Sequence, residues 1–256
     1  GRGLNSLTCG VEGGNHVMIE DGKRLGMWFK DAVLDKNFHD CGADLEALSP
    51  GWHHLAVVSK GDSARFYLDG EDVGDLKSKA AREAKAALDN SPNDEAAKAR
   101  VKAVDSATLT SSGAIAYIGG HAASGDRRFG RLAEVRIWGI ALTADEVAVN
   151  SRTLLSGNEP GLIAYYPLNE ASGTVIRDAS GGGTTATAQN ADWRLCSAPI
   201  GRGKHELRRF VGGGDYVPLS PKLLPRGNAI TVSFWARGGA GLPAQGSLLF
   251  ATNARG

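Results

Sequence analysis

Cysteine, proline and charge of one sign are all scarce in this 256-residue chain. Three cysteines, Cys9, Cys41 and Cys196, are too few and too scattered for a disulfide framework. Their odd number fits an intracellular home or one disulfide plus a free thiol. Only 9 residues are Pro, against 35 Gly. Lys and Arg total 29 against 28 Asp and Glu, so the net basic footprint that a general nucleic-acid binder needs is missing. The apolar runs are far too short to span a bilayer, and the opening stretch GRGLNSLTCG has no apolar core of a signal peptide or anchor. No N-x-S/T sequon occurs, which disfavours a heavily N-glycosylated eukaryotic surface protein. What is left is a Gly-rich folded chain without a nucleic-acid or membrane-inserted partner.

Short β-rich segments separated by Gly-containing turns dominate the rest. Strands are expected at His54–Val58, Ala64–Leu68, Ile115–Ile118, Leu132–Trp138, Gly161–Tyr166 and Ile230–Ala236. Asp69-Gly70 accepts the positive φ of a type I′ turn and predicts a hairpin. Many strands at short spacing, without alternating long helices, indicate an all-β antiparallel sandwich. The Ala-, Lys- and Glu-rich stretch at 77–107 breaks the pattern and predicts an inserted αα-hairpin, with Ser91 as N-cap and Pro92 at the first helical position. Its mostly Ala stripe suggests light packing or projection, as a solvated ornament or a partner-docking surface. Thr143 and Glu146 have capping-box spacing, with Leu142 placed to staple onto Val147. The glycine runs Gly181–Gly183 and Gly212–Gly214 read as loops.

The segments Gly51–Val58, Arg65–Gly70, Ile118–Gly120, Phe129–Trp138 and Ala141–Glu146, in that order, resemble the later part of a laminin-G-like jelly roll of the concanavalin A-like lectin/glucanase superfamily. Gly161–Thr174, Arg177–Gly181, Asp192-Trp193, Gly214–Val217 and Ala229–Arg237 resemble the beginning of the same domain. The resemblance thus implies a jelly roll written tail first, with the tail in residues 1–157 and the head in 158–256. Either the chain is circularly permuted, with 253–256 beside 1–4, or it is one frame of a tandem array completed head-to-tail by neighbouring copies. The expected role is a non-catalytic structural or adhesive assembly module, extracellular by family resemblance, whose partners are copies of itself. The alternative is a glycan-binding lectin-type module.

Candidate chemistry is sparse. Glycosidase action needs two carboxylates projecting from one face of a sheet, but Asp69, Glu71, Asp72 and Asp75 straddle a hairpin turn and Glu134 stands alone. There is no G-x-S-x-G elbow, and Ser124 sits in a turn-like run. His39, Cys41, His53 and His54 invite a zinc reading, but no C-x-x-C pair supports it, and neighbouring His53 and His54 in a strand face opposite ways. For calcium, the resemblance points to loop oxygens: Asp178 with Ser180, joined by Asn169 or Glu170. Asp178 could equally initiate an Asx-type turn that needs no metal. Trp28 and Trp193 are the aromatic candidates for a carbohydrate platform, whereas Trp52, Trp138 and Trp235 fall in strand patterns and read as core. The basic run Arg202–Arg209 suits a solvated link or an acidic partner.

Overall fold

In the computed structural model the described residues are 16–20, 23–31, 34, 36–109, 114–119, 130–197, 199–200, 204–210, 215–220, 223, 229–237 and 247–252. The first strands are β1 (His16–Glu20), β2 (Arg24–Asp31), β3 (Lys36–Asp44), β4 (His53–Lys60), β5 (Ser63–Leu68) and β6 (Glu71–Asp75). Helices α1 (Leu76–Asn90) and α2 (Glu95–Ser106) follow, then β7 (Ala114–Gly119), β8 (Gly130–Trp138) and helix α3 (Ala144–Asn150). The second part supplies β9 (Leu162–Tyr166), β10 (Val175–Ile176), β11 (Ala186–Thr187) and β12 (Asp192–Ser197). It ends with β13 (Lys204–Phe210), β14 (Tyr216–Pro218), β15 (Ala229–Arg237) and β16 (Ser247–Thr252).

These strands make an all-β antiparallel sandwich with a helical insertion. One sheet has the order β14-β7-β16-β1-β2-β3; the other runs β12-β13-β8-β15-β4-β5-β6, with β9 also paired to β8. Alternation along the strands sorts side chains between two faces. Leu55, Val57, Phe66, Val135, Ile137, Ile230, Val232 and Phe234 enter one core with Val17, Leu25, Met27 and Ile118 of the facing sheet. Ala56, Val58, Tyr67 and Trp138 face the other way and are covered by Leu142 and Val147 around α3.

Strands from the two parts of the chain interleave. β15 lies between β4 and β8, pairing Thr231 with both Val58 and Trp138. β16 lies between β7 and β1, with Leu249 opposite both Ile118 and Val17. The opening and closing residues 1–4 and 253–256, like Ser124, Arg202 and the run 212–214, lie outside the described residues.

Local signals hold at most turns. Asp69 and Gly70 both have positive φ, 53° and 90°, as the tight β5–β6 hairpin requires. Thr143 and Glu146 form the reciprocal capping box of α3. One expectation is corrected. Ser91 closes α1, its N–H reaching the Ala87 and Leu88 carbonyls, and Asp94 is the N-cap of α2. Ser91 to Asp94 form a turn closed by the Asp94 N–H on the Ser91 carbonyl at 3.0 Å, so Pro92 serves a turn rather than a helix start. The helical hairpin also contributes more burial than its Ala stripe suggests: Leu76, Ala84 and Val104 join the main core. Its exit is stitched to the sheet by Ala64 N–H to the Leu109 carbonyl at 2.9 Å and Leu109 N–H to the Asp62 carbonyl at 2.7 Å. α1 packs over β3 where that edge strand meets β6. There Gly74, at φ 119°, lets the backbones approach so closely that a Cβ would collide with the Cys41 carbonyl. Both sheet edges on this side are thereby protected.

Candidate functional site

The outer face of the larger sheet carries a buried polar network. Arg136 on β8 is 0% exposed. Its guanidinium donates to Glu134 Oε2 at 2.9 Å and to the Thr153 carbonyl at 2.8 Å, and also to the Asn150 carbonyl. Tyr165 Oη on β9 donates to the same Glu134 oxygen at 2.6 Å. Burial raises the Tyr165 phenol, and the Glu134 charge raises it further. Glu134 occupies φ 57°, where the β8–β15 register shifts, so a bulge turns its carboxylate toward Arg136. The cation sits at the C-terminal carbonyls of α3, which complements the helix dipole and ties the helix to the sheet. His54, on β4 across β15 from Arg136, is also fully buried. Among the described residues neither of its ring nitrogens has a hydrogen-bond partner, and the same holds for Ser233 Oγ and Arg136 Nε. Burial, reinforced by the Arg136 charge, lowers the His54 pKa to about 3. The network is sealed from solvent, so its geometry serves to hold α3 rather than to meet a ligand.

An open groove of about 510 Å3 lies between the base of the helical hairpin and the approach to α3. Val58, Tyr67, Ala141 and Leu142 supply apolar lining, while Lys60, Asp62, Arg65, Asp75 and Lys77 supply both signs of charge. Asp75 caps α1, accepting from Ser78 N–H at 2.9 Å and Ser63 Oγ at 3.0 Å while pairing with Arg65 at 3.0 Å. Burial opposes its charged form, but these donors outweigh it and hold the carboxyl below the usual range. Lys77 pairs with Asp62 and donates to the Asp105 carbonyl at 2.9 Å.

The residues singled out from sequence are spread over the molecule. Asp178 accepts from Tyr165 N–H at 3.0 Å, Ser180 N–H at 2.9 Å, Thr184 N–H at 3.1 Å and Thr184 Oγ1 at 2.6 Å. Burial works against its charge, yet these donors keep the carboxyl below its ordinary value. The bond from Ser180 N–H, two residues on, closes an Asx-type turn at Asp178. Glu170 Oε1 accepts from Arg177 N–H at 2.8 Å, and Asn169 is exposed. Among the described residues, no group of three or more His, Cys, Asp or Glu is placed together so that it could hold a metal ion. Trp28 is half-buried against the core, and half-buried Trp193 donates its indole N–H to the Gly173 carbonyl at 3.0 Å. Trp138 is core, but Trp52 is half-buried and donates to the Ser197 carbonyl at 2.9 Å. His39 stacks on Phe29 at 4.2 Å, and burial pushes the Cys41 thiol up to about 12. His53 binds Asp69 and the Ser49 carbonyl, each at 2.7 Å. Asp72 takes the Gly74 N–H at 2.8 Å and pairs with Arg65.

Sequence reasoning missed the Arg136 network and the groove. Polar Glu134 and Arg136 within an apolar strand carried a signal for the former. The groove had none, because its walls come together only when the helical hairpin docks.

The fold places this chain in the class of all-β antiparallel sandwiches with a helical insertion. Comparison with known proteins finds no matching family model, no matching curated protein and no matching solved structure.

Proposed function

We propose that this chain is a non-catalytic recognition and assembly module, a laminin-G-like sandwich with its halves in permuted order, acting as a structural or adhesive unit toward copies of itself outside the cell. The observation that carries this reading is the seat of β15. A strand expected near the start of such a domain pairs with β4 over eight residues and with β8 on its other side. Closure within one chain requires this arrangement. The non-catalytic part draws support from four of the five candidate carboxylates: Asp69, Asp72, Asp75 and Glu134 are each committed to local hydrogen bonds or ion pairs, while the fifth, Glu71, lies exposed at the β5–β6 turn. Sedimentation velocity over a wide concentration range tests the reading. Reversible self-association is expected, and a monomer at every concentration would remove it.

A second reading, a glycan-binding module, draws on the groove. Its lining of both charge signs together with apolar side chains suits hydroxyl groups, which both donate and accept. A glycan array run with and without chelator tests this reading together with its calcium dependence; no binding in either condition would remove it.

A further inference from the structure

One end of the larger sheet carries a row of arginines. Arg131 on β8 lies directly opposite Arg209 on β13 and opposite Arg237 on β15, so the three occupy one line across adjacent strands. Directly opposed residues share a face, with their Cβ atoms about 4.5–5.5 Å apart. Along β15 the core takes Phe234 and Ala236, which leaves Trp235 and Arg237 on the outer face. Asp192 continues the line on β12, opposite Arg209, and accepts from its Nε at 2.8 Å and its Nη2 at 2.5 Å.

That pair is satisfied; the other two arginines are not. Arg131 and Arg237 are both half-buried, and among the described residues neither has a hydrogen bond or an ion pair. Arg131 Nε is buried without a partner, and so is the indole Nε1 of Trp235, two residues before Arg237 on the same face. The β12–β13 ribbon passes across this end of the sheet. It is rooted on β8 through Arg209 and Phe210 only, and its far end is held on the other side of β15. There Trp52, which directly precedes β4, donates its indole N–H to the Ser197 carbonyl at 2.9 Å. Arg131 and Arg237 therefore stand between the two anchor points of the ribbon.

We propose that Arg131 and Arg237 form an anion site that takes the phosphate of a phosphomonoester, with the Trp235 indole N–H as a further donor. Like charges directly opposite one another on neighbouring strands are destabilising, and an anion held between them reverses that cost. Each guanidinium is a planar fork of donors that matches phosphate oxygens in pairs. Two unpaired cations match the charge of about −1.5 to −2 that a phosphomonoester carries near neutral pH, whereas a sulfate ester or a carboxylate brings less. The site shares no residue with the groove at the base of the helical hairpin. It goes beyond the assembly reading and does not depend on it.

Isothermal titration calorimetry of the intact chain near neutral pH, with phenyl phosphate, phenyl sulfate and benzoate as probes, tests the site. Phenyl phosphate should bind at least about tenfold more tightly than the other two. Arg131→Gln and Arg237→Gln should each weaken it about tenfold or more, and Arg237→Lys, which keeps the charge but loses the fork, should fall between. Without ligand, Arg237→Gln should leave the thermal midpoint unchanged or raise it, because a like-charge contact is removed. Phenyl phosphate should raise the midpoint of the parent chain and not that of the double variant. Equal binding of all three probes would overturn the phosphate assignment. Absence of phenyl phosphate binding, binding that both substitutions leave intact, or a lowered midpoint in both ligand-free variants would overturn the site.

Discussion

His53 and His54 are neighbours on β4 and face opposite sides of the strand, and their titrations oppose one another. For His53, burial disfavours the charged ring, but the Asp69 carboxylate and the Ser49 carbonyl outweigh it, so its pKa is raised. Its contribution is therefore complete below the unfolded value of about 6.5 and is lost as pH rises through the folded value. Asp69→Asn should flatten this alkaline loss in denaturant titrations run between about pH 6 and 9. His54, lowered to about 3, acts the other way. The unfolded chain binds its proton first as pH falls below about 6.5, so the native state loses ground on acidification. His54→Phe should reduce that acid sensitivity, and an unchanged acid limb in the mutant would contradict the account. Arg136 has the larger stake. Arg136→Met leaves Glu134 buried without its cation and should cost about 3–5 kcal/mol in urea denaturation, a range typical of a broken buried pair.

At the scale of single elements, the helices show what the sequence could and could not convey. The α3 capping box was legible because both partners lie within one turn of chain. The start of α2 was not, because Ser91 and Asp94 are both good caps and Pro92 suits a turn as well as a helix. Asp94→Ala should lower stability by about 1 kcal/mol while Ser91→Ala changes it by much less; the reverse order would contradict the observed cap. Asp75→Ala, which removes the cap of α1 and the partner of Ser63 and Arg65, should cost about 2 kcal/mol and loosen the hairpin base, read as faster amide exchange in α1. The strands over 16–44 were the hardest to foresee. β2 and β3 hold none of the Val, Ile or Thr that helped mark β4, β8 and β15, and bulges shift their register at two places.

At the scale of the whole molecule, the antiparallel sandwich with its helical insertion was readable from strand composition and turn spacing. The closing of one side was not readable, since the meeting of β3 and β6 under α1 depends on contacts far apart in sequence. Nor was the candidate site, whose groove exists only where β4, β5, α1 and the 141–143 segment converge. The central claim is that residues 158–256 complete, within the same chain, the sheets begun by residues 1–157. Lys60 and Ala229 are directly opposed at the end of the β4–β15 ladder, and Lys60 is exposed. The decisive measurement is oxidation of a Lys60→Cys, Ala229→Cys chain whose Cys9, Cys41 and Cys196 are Ser, followed by non-reducing electrophoresis. Intrachain closure predicts a single monomer band of altered mobility, whereas a ladder of disulfide-linked multimers would show that β15 is supplied by a neighbouring copy.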